Sequence, residues 1–184
     1  MTRSVVLADS LVAPLLMALR DCLCCQLESS LRGPTCRCVI RHALSTPSMD
    51  ACDCNCGVDP ATGTDGQGDA WVRLVQLQPE ATSLPLGSHA CPQGWTAIIE
   101  LGTYRCITLP EEAGPLAAQD ENDIAMDMLS DMNAMVRALG CCEALTDRDV
   151  GVDFWQPLGP SGGCAGGALQ IRVAIPAGPN GRCP

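Results

Sequence analysis

The chain contains no lysine: all 11 of its basic residues are arginine. A phosphate cradle of the P-loop type, which needs a lysine to reach the phosphates, is therefore excluded. Aromatics are scarce, with one Tyr, one Phe and three Trp. Leu, Val, Ile, Met and Cys must fill the core instead. The two histidines, His42 and His89, both fall in irregular stretches. No uninterrupted apolar run approaches the roughly 20 residues that span a bilayer. Behind Arg3, the runs Val5–Leu7 and Leu11–Leu19 have the look of a signal peptide. Asp9 and Ser10 interrupt them and no small-x-small cleavage site follows, so an amphipathic or buried helix is expected. A basic patch is also missing. With 21 acidic residues against 11 basic ones, the net charge is −10, and phosphate contacts have little to build on. The absence of lysine beside abundant Ala, Gly and Pro points to a GC-rich coding bias.

What the chain does have is cysteine, 14 in 184 residues. The length suits one domain, residues 1–184, with a core that does not need staples. The spacings are Cys22-x-Cys24-Cys25, Cys36-x-Cys38 and Cys52-x-Cys54-x-Cys56. Zinc sites more often show paired C-x-x-C knuckles. Cys22 and Cys25 are spaced for one helix face and could join Cys36 or Cys38 on a metal. Disulfides bracing the segment 34–69 fit the same cysteines. Cys106 and Cys142 read as free, buried thiols. Spacing alone leaves disulfide, zinc and free thiol open.

The stretch 150–175 organises the fold. Leu169, Ile171, Val173 and Ile175 alternate with Gln170, Arg172 and Ala174, the period of a half-buried strand. Val152, Phe154 and Trp155 favour extended backbone on the arm before it. Between the arms, residues 159–167 carry five glycines and a proline and read as a long hairpin loop. Helical spacing runs from Leu11 to Leu31, with Pro14 in the first turn and Gly33-Pro34 as the stop. A second helix is predicted over Ala118–Leu139, with Ile124, Met128, Met132, Met135, Val136 and Leu139 on its buried face. Strands are predicted at Trp71–Gln78 and Trp95–Thr108, with a bulge or bend at Gly102. Residues 34–69 show neither period and read as an irregular, cysteine-rich insertion. Asp50, Asp53, Asp59, Asp65 and Asp69 dot it as a solvated acidic loop, since no window meets the EF-hand pattern. Residues 177–184 read as a flexible tail. The sum is an α+β fold: a mainly antiparallel four-stranded sheet flanked by two helices. Trp71, Trp95 and Trp155 sit near strand ends, suited to core or subunit contacts.

Gly159-Pro160-Ser161-Gly162-Gly163 matches the G-x-S-x-G pattern of a nucleophile elbow. That chemistry needs a sharp strand-to-helix turn, with a histidine and an acid in reach. Strand is expected on both sides of Ser161, so a hairpin loop is the better reading. A hydrolase would require His42 or His89 to reach that serine.

Trp155-Gln-Pro-Leu-Gly-Pro-Ser-Gly-Gly-Cys-Ala-Gly-Gly167 resembles the W-x-P-x-G-P-x-G-G-x-x-G-G hairpin of tail terminator and head-to-tail connector proteins of long-tailed actinobacteriophages. The likeness extends to the cysteine-bearing first helix (Cys22, Cys24, Cys25, Leu27, Glu28) and the Cys36/Cys38 to Cys52/Cys54/Cys56 insertion. It also takes in Trp71-Val72-Arg73, the E-L-G-x-x-R-C ending at Cys106, and the helix ending in Cys141-Cys142. The resemblance implies a non-enzymatic virion protein without cofactor, assembled in the host cytoplasm. It implies a ring, commonly a hexamer, that caps the tail-tube protein, stops its growth and joins the neck proteins of the head. DNA passes through its channel without specific binding, which an acidic lumen favours. Candidate disulfide cysteines are Cys22, Cys25, Cys36, Cys38, Cys52, Cys54 and Cys56. Candidate ring or tube contacts are Trp155, Leu158, Gly159, Ser161, Gly163 and Gly166. A head-closure protein of the same neck and a zinc-stabilised intracellular binding module are the alternatives.

Overall fold

The computed structural model describes residues 12–41, 68–79, 94–107, 114–161 and 163–176. Their order is α1 (Ala13–Leu27), β1 (Arg37–Arg41), β2 (Asp69–Pro79), β3 (Gly94–Cys106), α2 (Ala118–Cys141), a short 3-10 turn (Glu143–Leu145), β4 (Val150–Ser161) and β5 (Cys164–Pro176). The class is α+β, as the sequence pattern predicts. The sheet differs from the expected four antiparallel strands: it has five, in the order β1-β2-β3-β5-β4, and β1 runs parallel to β2. β1 lies inside the stretch that reads as irregular. Its Cys-Val-Ile centre suits a strand, but five residues are too few to show a period.

Both helices pack on one face of the sheet, α1 over β1 and β2 and α2 over β5 and β3. Pro14 sits in the first turn of α1, where its missing N–H costs nothing. Leu15, Leu16, Leu19, Leu23 and Leu27 of α1 are buried. They meet Val72 of β2, Ile99 and Leu101 of β3, and Leu169, Ile171, Val173 and Ile175 of β5 in one aliphatic core. The helix stops at Leu27, earlier than the leucine spacing implies, and Leu31 is left exposed. A turn follows, in which Gly33 (φ 68°) supplies the left-handed conformation.

Of the predicted row on α2, Met135 is fully buried, Ile124, Met128, Met132 and Leu139 are half-buried, and Val136 is not on the buried face. Asp131, Ala134, Met135 and Ala138 point inward, and Val136 is exposed. Small residues bring the helix close to the sheet, and a charge inside it is tolerated because it is paired. The bidentate Asp131–Arg105 ion pair (Nε to Oδ2 2.8 Å, Nη2 to Oδ1 2.9 Å) is almost wholly buried. Arg105 of β3 also donates to the carbonyls of Pro34 and Gly33 and to Ser30 Oγ. One guanidinium thereby fixes β3, α2 and the α1–β1 turn together. Beside it Arg32 donates to Cys106 O and pairs with Asp127 (3.5 Å). Burial pushes the Asp127 carboxyl up, Arg32 opposes that shift and the neighbouring Asp131 adds to it.

Gly102 marks no bulge. It pairs with Trp71 in regular register, and a Cβ there would strike the Trp71 indole. The irregularity in this ladder falls at Leu74/Gln76 of β2 instead.

Candidate assembly surface

β4 is one outer strand of the sheet, and the stretch 159–167, expected to be a loop, is largely strand on the two sides of the hairpin turn. Ser161 pairs with Cys164, and Gly163 (φ 78°) takes the left-handed conformation such a turn demands. Gly159 has φ 89° as well, next to Pro160. Ser161 is thus followed by strand, not helix, which removes the backbone that a nucleophile elbow requires. His42 and His89 lie outside the described residues.

The structure separates the expected contact residues. Gly166 belongs to β5 and is buried, because a Cβ there would overlap the Thr103 carbonyl of β3. Gly167 lies under the Trp155 ring in the same way. Trp155 is half-buried and packs on the aliphatic core, so its bulk serves the fold. Leu158 closes a second cluster with Trp71, Tyr104, Cys164 and Val39. Gly159 stays exposed, Gly163 is half-buried, and the Ser161 side chain is outside the described residues. Two large apolar residues that the motif reading passes over are exposed as well. A register shift between Val152 and Phe154 turns β4, and Val152 and Phe154 are 54% and 47% exposed. The alternation of the first arm breaks at this bulge, which is why periodicity did not single them out. Asp153 between them pairs with Arg172 of β5.

The face of the sheet opposite the helices is built around charge. Trp71 is fully buried and its Nε1 donates to Glu100 Oε1 (2.9 Å), while Arg73 Nη2 donates to Glu100 Oε2 (2.8 Å). The Tyr104 ring lies 5.0 Å from that of Trp71 at 43°, and the Arg41 guanidinium sits 5.8 Å from the Trp71 ring. Asp69, expected in a solvated loop, is instead buried on β2. It accepts two hydrogen bonds from Arg37 and one from Arg41. These two pairs hold the parallel edge strand β1 onto β2. Burial raises the Tyr104 phenol pKa, the Glu100 carboxylate raises it further, and Arg73 and Arg41 act against both. Trp71 therefore lies on an interior strand and offers no edge to a neighbour.

At the far end of the hairpin, an open cavity of about 620 Å³ is lined by Glu143, Asp147, Arg148 and Asp149, with Ala174 and Pro176.

Cysteine pairs tie the helices down. Cys22 is bonded to Cys142 (Cα–Cα 5.7 Å) and Cys24 to Cys38 (6.1 Å). Cys36, Cys106 and Cys164 are disulfide-bonded too. Two expectations change. Cys25 is free and exposed: successive α1 positions turn about 100° apart, so Cys22 meets the end of α2, Cys24 meets β1 and Cys25 meets neither. Cys106 and Cys142 are not free thiols. Cys52, Cys54 and Cys56 lie outside the described residues. Among the described residues no group of three or more His, Cys, Asp or Glu is arranged to hold a metal ion, and no helix is long and apolar enough to cross a membrane.

No protein family matches the chain, and no curated protein is similar to it.

Proposed function

We propose that the chain is a ring-forming structural protein of a phage neck, a tail terminator that caps the tail tube and joins it to the head connector. The observation that carries this reading is the β4–β5 hairpin. The W-x-P-x-G-P-x-G-G stretch that bears the resemblance supplies the second half of the outer strand β4, and the large apolar side chains of Val152 and Phe154, just before it on the same strand, are left exposed. Outer strands that expose apolar residues join other chains. A head-to-tail contact of β4 with a different surface of the next copy is heterologous and closes into a ring when the rotation permits, as in a hexamer. The excess of acidic over basic residues in the chain, 21 against 11, supports a lumen that lets duplex DNA slide. In this reading the partners are further copies of the chain, the tail-tube protein and the head-closure protein of the same virion, and no cofactor takes part.

The test is to add the purified chain to polymerising tail-tube protein from the same genome. A terminator stops elongation and is found at one end of each tube in electron micrographs. Tubes of unchanged length with no bound cap would refute it. Binding to head-closure partners alone would move the chain to the adjoining ring of the neck.

A further inference from the structure

Among the described residues the sheet has two outer strands, β4 at one end and β1 at the other. β1 and β2 run parallel, whereas β2–β3, β3–β5 and β5–β4 are antiparallel pairs. β1 and β4 therefore point in opposite directions. Two copies set side by side, with their helices on the same side, bring β4 of one against β1 of the next as an antiparallel pair, the more stable kind of ladder.

The register shift in β4 decides what kind of partner fits. Val152 stands opposite Ile171 and Phe154 opposite Gln170. Ile171 belongs to the core beneath the helices, and Gln170 lies beside Glu100 on the other face. The two exposed apolar side chains thus flank the strand, Val152 toward the helices and Phe154 away from them. A helix or a flat sheet face would cover only one of them, whereas an incoming strand edge lies between both. The usable part of β4 is its first half, because Pro157 and Pro160 have no N–H to offer a ladder.

β1 matches this edge in length, shape and charge. Its five residues fit within the stretch 150–156. Ile40, 39% exposed, lies on the helix side with Cys38, which is bonded to Cys24 of α1. Arg37 and Arg41 lie on the other side, where both donate to Asp69 and Arg41 sits over the Trp71 ring. Val152 then meets Ile40, and Phe154 meets the arginine side. β1 has two arginines and no acid. β4 has no basic residue; it carries Asp153, paired with Arg172 of β5, and the exposed Asp149 stands just before it. Two β1 edges set together would oppose arginine to arginine, which acts against self-pairing.

We infer that the surface β4 meets in the next copy is the outer edge of β1, so that the sheet continues from copy to copy. The inference rests on the ring reading above and names its second surface. Main-chain hydrogen bonds hold such a junction, and the flanking side chains select which edge is taken.

The test mixes two variants of the full chain, each blocked at one edge: Phe154→Asp at β4 and Ile40→Asp at β1. In sedimentation or native mass measurements each variant alone stays a monomer. Their equimolar mixture forms a dimer and nothing larger, since one intact β4–β1 junction remains and cannot propagate. Ile40→Asp that assembles as the wild type does would overturn the inference and leave a ring through β4 standing. Ile40→Asp that dimerises alone would assign β4–β4 pairing instead, and a mixture that stays monomeric would equally refute the junction. A wild-type chain that is monomeric at every concentration would remove the ring reading and the inference with it. Amide exchange does not depend on how Ile40→Asp folds. Relative to the Phe154→Asp monomer, amides of both 37–41 and 150–156 in the wild-type assembly should exchange about tenfold more slowly. Added protection at β4 alone would contradict the β1 assignment.

Discussion

The two faces of the sheet are buried by different means. Toward the helices lie Leu19, Leu23, Ile99, Leu101, Ile171 and Val173, aliphatic and fully buried. The fully buried ion pair on that side, Arg105–Asp131, sits where three elements meet. The opposite face places a Trp and the lone Tyr among Glu100, Asp69 and three arginines. An aliphatic face asks for volume and pattern, and it tolerates exchange of similar side chains. A buried polar face asks for every partner in place, since a carboxylate that loses its donor keeps the full cost of its burial. The first kind of face can be read from periodicity, the second only from contacts.

The contrast can be broken most severely at its exception. Asp131→Ala strands the Arg105 guanidinium inside the fold and should cost about 3–5 kcal/mol in urea unfolding. Leu23→Ala tests the aliphatic face by leaving a cavity, and about 2–5 kcal/mol is expected. Trp71→Phe keeps a ring in place on the other face but removes the N–H that Glu100 accepts. A loss of about 1–3 kcal/mol marks that bond as more than packing.

A sharper probe of the same face is pH. The Tyr104 pKa lies above its ordinary value of 10.0, so the folded state holds the phenol proton more tightly than the unfolded chain. The stabilisation this gives is complete below that ordinary value and is lost as the pH climbs through the raised one. Tyr104 is the lone tyrosine, so tyrosinate absorbance reports it directly, and Tyr104→Phe should flatten the alkaline loss of stability. The smallest effect belongs to the exposed Arg172–Asp153 pair: Arg172→Ala should cost no more than about 1 kcal/mol.

The sequence pattern carries the aliphatic face almost completely. The leucines from Leu15 to Leu27, the alternation from Leu169 to Ile175 and the proline in the first turn of α1 fall where a regular period places them, while Leu31 lies past the end of the helix. The polar face was hidden because its members obey no period. Asp69 reads as one more acid in an acidic stretch, and β1 as part of an irregular insertion. Asp131 was masked by larger apolar neighbours on the same helix. The hairpin motif was visible, but its glycines pointed to a long loop. Two of them, Gly166 and Gly167, are glycines because a neighbouring strand and the Trp155 ring leave no space for a Cβ. Disulfide partners such as Cys22 and Cys142 depend on the tertiary packing of two helices, which spacing does not encode.

The ring is tested most directly by the mass of the native full-length chain, set beside that of a Phe154→Asp variant. The proposal predicts a single closed assembly, a hexamer by the resemblance, with no ladder of larger species. The Phe154→Asp variant should fall to a folded monomer, since its new charge sits on the outer strand. A wild-type chain that stays monomeric at every concentration, or a Phe154→Asp variant that assembles as the wild type does, would contradict it.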